Sequence, residues 1–124
     1  MKKVIFILFG IFLLNNVLFS QQNSQKPKFE IMFEEMDGNQ YLADVYLPDY
    51  TRENGDKVLQ IFIEKKKNNN VGGLHINFWN KKFSKAQMKS YNNDKFTPPK
   101  GTKVFLANYG YRKGFREVQS IYEY

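Results

Sequence analysis

The chain lacks cysteine altogether and has a single histidine, His75, among its 124 residues. Without cysteine there is no disulfide, no thiol nucleophile and no thiol that could carry a lipid. One histidine does not supply the several ligands of a catalytic zinc site, and the sequence has no G-x-S-x-G nucleophile elbow. We therefore predict no cofactor, no metal site and no nucleophilic triad.

The chain is also short of long apolar runs. The N-terminal run at residues 4–14 has 11 residues, whereas a bilayer core needs about 20. Two lysines precede this run, two asparagines interrupt it, and the small Ser20 stands before two glutamines, which is the layout of a secretory signal peptide. We predict a signal peptide at 1–20 and an exported protein, periplasmic or extracellular, without a membrane span after cleavage. A transmembrane anchor and a buried core helix are the alternatives.

The rest of the chain suffices for one domain. Residues 21–27 are polar and end in a proline, which predicts a disordered leader, and residues 28–124 predict a single β-rich domain. In place of disulfides the sequence offers 12 Phe, 8 Tyr and 1 Trp, whose large apolar area can build a core by packing alone.

Charge is distributed unevenly along the chain. Residues 21–56 hold 3 basic and 8 acidic residues, whereas residues 57–124 hold 14 basic and 4 acidic residues. Two interpretations stay open. Acidic strands can lie beside basic ones and compensate them across a sheet, or the basic half can present a face to an anionic partner.

Alternating apolar residues predict about six strands. Residues 28–36 and 40–47 flank Asp37-Gly38, a pair that accepts the positive φ angles of a tight turn, and so predict an antiparallel hairpin. The remaining strands are predicted at residues 57–64, 74–79, 104–109 and 115–124, and the first two of these form a second hairpin.

One segment has a helical signature instead. Ser84 and Gln87 have the spacing of a capping box, and Phe83 with Met88 fits the accompanying hydrophobic staple, which predicts a short helix over 85–91. The whole pattern predicts a mainly-β fold: a small antiparallel sheet, sandwich or barrel-like, with one short helix. The alternative is an α+β fold in which the helix packs on a twisted antiparallel sheet.

The most suggestive constellation lies on the predicted strand 74–79. His75, Asn77 and Trp79 share one face, where an aromatic ring and two hydrogen-bonding groups could hold a sugar or a peptide. The competing interpretation is that Trp79 covers the second side of the sheet beneath the helix. The predicted ligand-binding set also includes cations able to extend this face toward an anionic group: Lys81, Lys82, Arg112 and Arg116.

The leading hypothesis for function is an exported β-domain, without catalysis, that binds a protein or an anionic envelope component through its basic C-terminal half. Export argues against a nucleic-acid partner. One alternative is an inhibitor or immunity protein against a secreted hydrolase or toxin, which would use the loops at 65–73 or 97–102. Others are a structural envelope subunit and a small carboxylate-dependent hydrolase. The acidic residues at 34–39 could serve such a hydrolase or hold calcium, although their spacing does not match an EF-hand loop.

Overall fold

The computed structural model describes residues 26–124, so the predicted signal peptide, 1–20, and most of the predicted leader, 21–27, lie outside the described residues. The described part contains five strands and two helices: β1 (Glu30–Asp37), β2 (Gln40–Tyr46), α1 (Arg52–Lys66), β3 (Gly73–Trp79), α2 (Lys85–Asn92), β4 (Lys103–Gly110) and β5 (Phe115–Glu123). No helix in this part is long and apolar enough to cross a membrane.

The five strands form one sheet in the order β1-β2-β3-β4-β5, which is also their order in the sequence. Neighbouring strands pair antiparallel except β2 and β3, which are parallel. Helix α1 connects these two, because parallel neighbours require a crossover connection in place of a tight turn. Strands β1 and β5 are the edges of the sheet.

The structure corrects the prediction of a strand at 57–64, which lies within helix α1. The helix begins after Thr51, whose hydroxyl oxygen accepts a hydrogen bond of 3.1 Å from the backbone N–H of Asn54. Its buried side consists of residues at helical spacing: Gly55, Val58, Leu59, Phe62 and Ile63. The predicted hairpin between 57–64 and 74–79 is therefore wrong, and the described sheet has five strands.

The predicted mainly-β class is confirmed, and most of the other predicted elements exist. The first predicted hairpin is β1–β2, with Gly38 at a φ of 63° in its turn. The predicted helix is α2, where both capping-box hydrogen bonds between Ser84 and Gln87 form. The strands predicted at 74–79, 104–109 and 115–124 correspond to β3, β4 and β5.

Helix α1 packs on one face of the sheet, which we call the front face. The core there combines the apolar side of α1 with alternate residues of β2, β3 and β4. Gly55 brings α1 close to β4, since a Cβ at this position would overlap the ring of Phe105. The ring of Tyr50 packs on Phe105 at 5.0 Å between centroids, and its buried hydroxyl has no hydrogen-bond partner. Burial raises the pKa of Tyr50 to about 12.

Helix α2 lies on the opposite face, which we call the back face. A second, smaller core fills the space beneath it: Met32, Phe33, Trp79, Met88 and Val104. This covered half is the end of the sheet where Trp79 pairs with Val104, whereas the half toward the Gly73–Gly110 pair lies beyond α2. The back face is thus divided into a covered half and an open half.

Candidate functional site

A buried carboxylate, Asp44, joins helix α2 to the back face. Its Oδ1 accepts hydrogen bonds from Asn77 Nδ2 at 3.0 Å and from Trp79 Nε1 at 2.9 Å. Its Oδ2 accepts a hydrogen bond from Asn92 Nδ2 at 2.9 Å. Asp44 is only 2% exposed, so three neutral donors from β3 and α2 replace the water that a carboxylate would otherwise hold.

Trp79 belongs to this structural core. It is fully buried, and its ring meets those of Tyr91 and Phe83 edge-to-face at 4.8 Å and 5.7 Å between centroids. The hydroxyl groups of Tyr91 and Tyr124 are hydrogen-bonded at 2.9 Å, and burial together with this hydrogen bond raises the pKa of Tyr91. Trp79 therefore covers the second side of the sheet beneath a helix, as the competing interpretation held.

His75 and Asn77 share the back face with Trp79 but extend toward the open half. His75 is half-buried, and its Nδ1 lies 2.7 Å from Oδ1 of Asn108 on β4. Because an amide oxygen can only accept a hydrogen bond, Nδ1 carries the proton of this pair. The partner of His75 is thus a neutral amide, which fixes the orientation of the ring.

Asn77 has one end of its amide satisfied and the other end free. Nδ2 donates to Asp44, so Oδ1 is directed away from that carboxylate, and it has no hydrogen-bond partner although Asn77 is only 8% exposed. A buried acceptor without a donor costs about 1–3 kcal/mol. The border between the covered and the open half therefore contains an unused acceptor.

The open half is polar and carries acidic groups. One row of paired residues crosses all five strands and ends in a carboxylate at each edge: Glu35, Leu42, His75, Asn108 and Glu117. Asp37 extends the acidic character on β1, and Phe115 leaves a large exposed ring at the corner on β5. None of the strand residues that face this half is a lysine or an arginine.

The opposite charge is concentrated around α2. Residues 80–103, which we call the lysine segment, contain seven lysines and one acidic residue, Asp94. Lys82 pairs with Glu30 at 2.9 Å and Lys103 with Glu123 at 4.0 Å, while Lys81 donates to the carbonyl oxygen of Lys100 at 3.3 Å. On α2 itself, Lys85 and Lys89 stand one turn apart and are exposed to solvent.

The structure separates the two predicted arginines from this segment. Arg116 lies on the front face, where its guanidinium pairs with Asp56 at 2.8 Å and donates to Gln60 at 2.6 Å. Arg112 lies in the β4–β5 turn, at the end of the sheet opposite Lys81. The predicted ligand-binding residues thus occupy three places, and only His75, Asn77 and Trp79 share a face.

Charge compensation across elements is also present. Besides the ion pairs of Lys82 and Arg116, Arg52 donates to the carbonyl oxygen of Val118 at 2.5 Å. A cleft of about 500 Å³ between α1 and β5 therefore combines two arginines with two carboxylates: its lining is Arg52, Glu53, Asp56, Arg116 and Val118. This cleft carries no net charge.

The acidic residues at 34–39 do not converge. The hydroxyl of Tyr41 donates to Glu34 on the front face, whereas Glu35 and Asp37 lie on the back face. Among residues 26–124, no three histidine, aspartate or glutamate side chains lie close enough together to hold a metal ion. The two loops predicted for an inhibitor, 65–73 and 97–102, lie at opposite ends of the sheet.

Sequence reasoning missed the residues that organise this site. The predicted ligand-binding set does not include Asp44, Asn92 or Asn108. A usable signal was present, because Asp44 stands between apolar neighbours in a strand where the preceding and following residues are buried. A carboxylate in such a position needs donors, and the asparagine-rich neighbouring segments supply them.

Comparisons of the chain with protein-family models, with curated proteins and with solved structures give no match.

Proposed function

We propose that the chain is an exported binding domain that attaches to an anionic component of the cell envelope through the lysine segment. The observation that carries this proposal is the concentration of seven lysines against one aspartate in residues 80–103, grouped around one short helix. A dense group of like charges on one surface attracts polyanions and raises the rate of encounter with them.

The rigidity of α2 supports the same proposal. The capping box, the Asn92–Asp44 hydrogen bond and the aromatic packing of Tyr91 on Trp79 fix the helix on the sheet. Lys85 and Lys89 are therefore presented at a constant separation, and little backbone order must be gained when a partner binds.

Export is part of the proposal and is supported by the residue order at 1–20 alone. A basic start, an apolar run and a small residue before a polar leader are features of a secretory signal peptide, although Leu18 stands where a smaller residue is usual. The mass of the protein recovered from the periplasm or the medium tests this directly. Cleavage after Ser20 predicts that the mature chain begins at Gln21, and an intact N-terminus in the secreted fraction would contradict it.

Binding is tested with two anionic probes, heparin as a polysaccharide and vesicles containing phosphatidylglycerol as a lipid surface. The variant Lys85→Glu/Lys89→Glu should weaken binding to the true class of ligand by about 30-fold or more, because each lysine near an anionic surface contributes about 1 kcal/mol. The affinity of the wild-type protein for the anionic probe should fall as the salt concentration rises from about 50 mM to about 500 mM.

The matched control is Lys65→Glu/Lys67→Glu, which makes the same change in net charge with two exposed lysines at the end of α1. If the lysine segment is the contact surface, this control keeps most of its affinity. Equal losses in both variants would show that only net charge matters, and no binding to either probe would refute the proposal.

A further inference from the structure

We propose that two copies of this chain form a dimer through their back faces, with α2 of each copy lying over the open half of the other. The proposal goes beyond attachment to an anionic component and does not depend on it. It rests on three properties of one face: a step in height, opposite charges on the two sides of the step, and exposed aromatic rings on both sides.

The step arises because α2 covers only one half of the back face. The helix runs across the strands, since the backbone N–H of Phe83 before it donates to Met32 Sδ on β1 at 3.0 Å, and Tyr91 near its end reaches Tyr124 after β5. The raised helix of one copy therefore fits against the uncovered half-sheet of a second copy. The two copies are related by a two-fold axis that lies between the two sheets and runs perpendicular to the strands. Such an isologous contact closes after two copies.

The same rotation brings opposite charges together. The open half has exposed or half-exposed carboxylates at both edges, Glu35 on β1 and Glu117 on β5, whereas α2 presents Lys85 and Lys89. This rotation exchanges the two ends of each strand but keeps the order of the strands across the sheet. The first turn of α2 in the second copy therefore comes to lie over the β1 side, near Glu35. Symmetry repeats each of these contacts.

Two exposed aromatic rings on β5 meet under the same operation. Phe115 is 52% exposed in the open half, and Tyr122 is 53% exposed in the covered half, both on the back face of this edge strand. The rotation places Phe115 of one copy opposite Tyr122 of the second copy. The half-buried Leu42 and Leu106 and the unused acceptor Oδ1 of Asn77 lie between the charged edges.

The size of the face is sufficient for a specific contact. Five strands about 4.8 Å apart and two rows of outward residues give about 300 Å² for each half. Both halves of each copy are covered in the dimer, which is about 600 Å² per copy and about 1,200 Å² in total, the lower limit of a specific interface. We expect a dissociation constant in the micromolar range at low salt, because the contact is largely polar.

Sedimentation equilibrium of the purified protein, without any polyanion, tests the proposal. Wild type should dimerise at about 50 mM salt and dissociate more readily at about 500 mM. Either reversal alone, Lys85→Glu/Lys89→Glu or Glu35→Lys/Glu117→Lys, should raise the dissociation constant at least about tenfold. An equimolar mixture of the two variants should form a heterodimer of near wild-type affinity, because the reversed charges again complement each other.

All four substituted residues lie on the surface, and circular dichroism confirms that each variant is folded. A protein that stays monomeric at every concentration overturns the proposal. Monomers are also the result expected if the open half binds a small cationic ligand in place of a second copy. A dimer that is insensitive to one of the reversals, or a mixture that fails to recover affinity, overturns it as well. Heparin binding by wild type, measured at protein concentrations well below the dimer dissociation constant, reports separately on the proposed function, because Lys85 and Lys89 are then outside any dimer contact.

Discussion

Replacing Asp44 by alanine tests whether one buried carboxylate holds α2 on the sheet. The substitution removes an acceptor of three hydrogen bonds and leaves the buried donors of Asn77 and Trp79 without a partner. Each orphaned donor costs about 1–3 kcal/mol, while the amide of Asn92 can turn to water. We expect a loss of about 3 kcal/mol in the free energy of unfolding, a large part of the 5–15 kcal/mol typical of a domain.

Thermal and urea unfolding followed by circular dichroism measure this loss. A change of about 3 kcal/mol lowers Tm by roughly 10–20 °C in a domain of this size. Trp79 is the only tryptophan of the chain and lies fully buried under α2, so its emission should shift to the red if the helix detaches. Fluorescence therefore separates local release of α2 from global unfolding.

Two further variants define what the carboxylate contributes. Asp44→Asn keeps an oxygen for the two donors from β3 and should cost only about 1 kcal/mol. Asp37→Ala removes an exposed carboxylate of the same face and should change stability by less than about 0.5 kcal/mol. If Asp44→Ala were no more destabilising than Asp37→Ala, the cost of burying the charge would equal the gain from its hydrogen bonds, and the reasoning would be refuted.

Four other substitutions test the contacts of the front face. Tyr50→Phe should stabilise the fold by about 1 kcal/mol, because it removes a buried hydroxyl that has no partner. Tyr50 has a pKa of about 12 in the fold against about 10 in an unfolded chain. Its ionisation therefore leaves the free energy of unfolding unchanged below about pH 10 and lowers it as pH rises from about 10 toward 12. Alkaline unfolding of Tyr50→Phe should accordingly be shifted to higher pH, and an unchanged midpoint would contradict this. Gly55→Ala should destabilise by about 1–3 kcal/mol in urea titrations despite the better helix propensity of alanine, and Phe105→Leu in the same chain should recover part of the loss. Arg116→Ala should cost less than about 1 kcal/mol in the same assay, because its ion pair with Asp56 is exposed to solvent, and a larger loss would show a tighter contact.

Most strands could be predicted because their residues obey a single period. The alternation at 28–36 and 40–47 and the Asp37-Gly38 turn each specify the same hairpin, so errors in one are corrected by the other. Helix α2 was equally accessible, since Ser84 and Gln87 carry a signature that depends on side-chain chemistry rather than on apolar content.

Helix α1 was mispredicted because its apolar residues satisfy two periods at once. Val58, Leu59, Phe62 and Ile63 form a helical stripe, yet the same stretch also alternates and is rich in β-branched and aromatic residues. The decisive signals were at the ends: Thr51 as N-cap and lysines in the last turn. An Asn-Gly pair such as Asn54-Gly55 is typical of a turn, but in the fold this glycine allows the close approach of α1 to Phe105.

The site was predictable only in part, because alternation shows which residues share a face but not what lies above them. His75, Asn77 and Trp79 were placed on one face correctly, whereas the burial of Trp79 depends on where α2 docks. Arg112 and Arg116 were grouped with the lysines because they carry the same charge. The structure separates them, because Arg112 lies in the β4–β5 turn and Arg116 lies on the front face of β5. These relations depend on sheet order, which a single sequence does not reveal.

The agreement between chain order and sheet order has a consequence for folding. Each strand pairs with the one made just before it, so a chain that emerges N-terminus first can extend the sheet stepwise at one growing edge. No strand must wait for a distant partner, and every closure spans a short loop or one helix, which lowers the contact order. The slowest addition should be β3 onto β2, because α1 must form before that parallel pairing can close. Folding of this domain is therefore compatible with delivery through a narrow pore, one strand at a time.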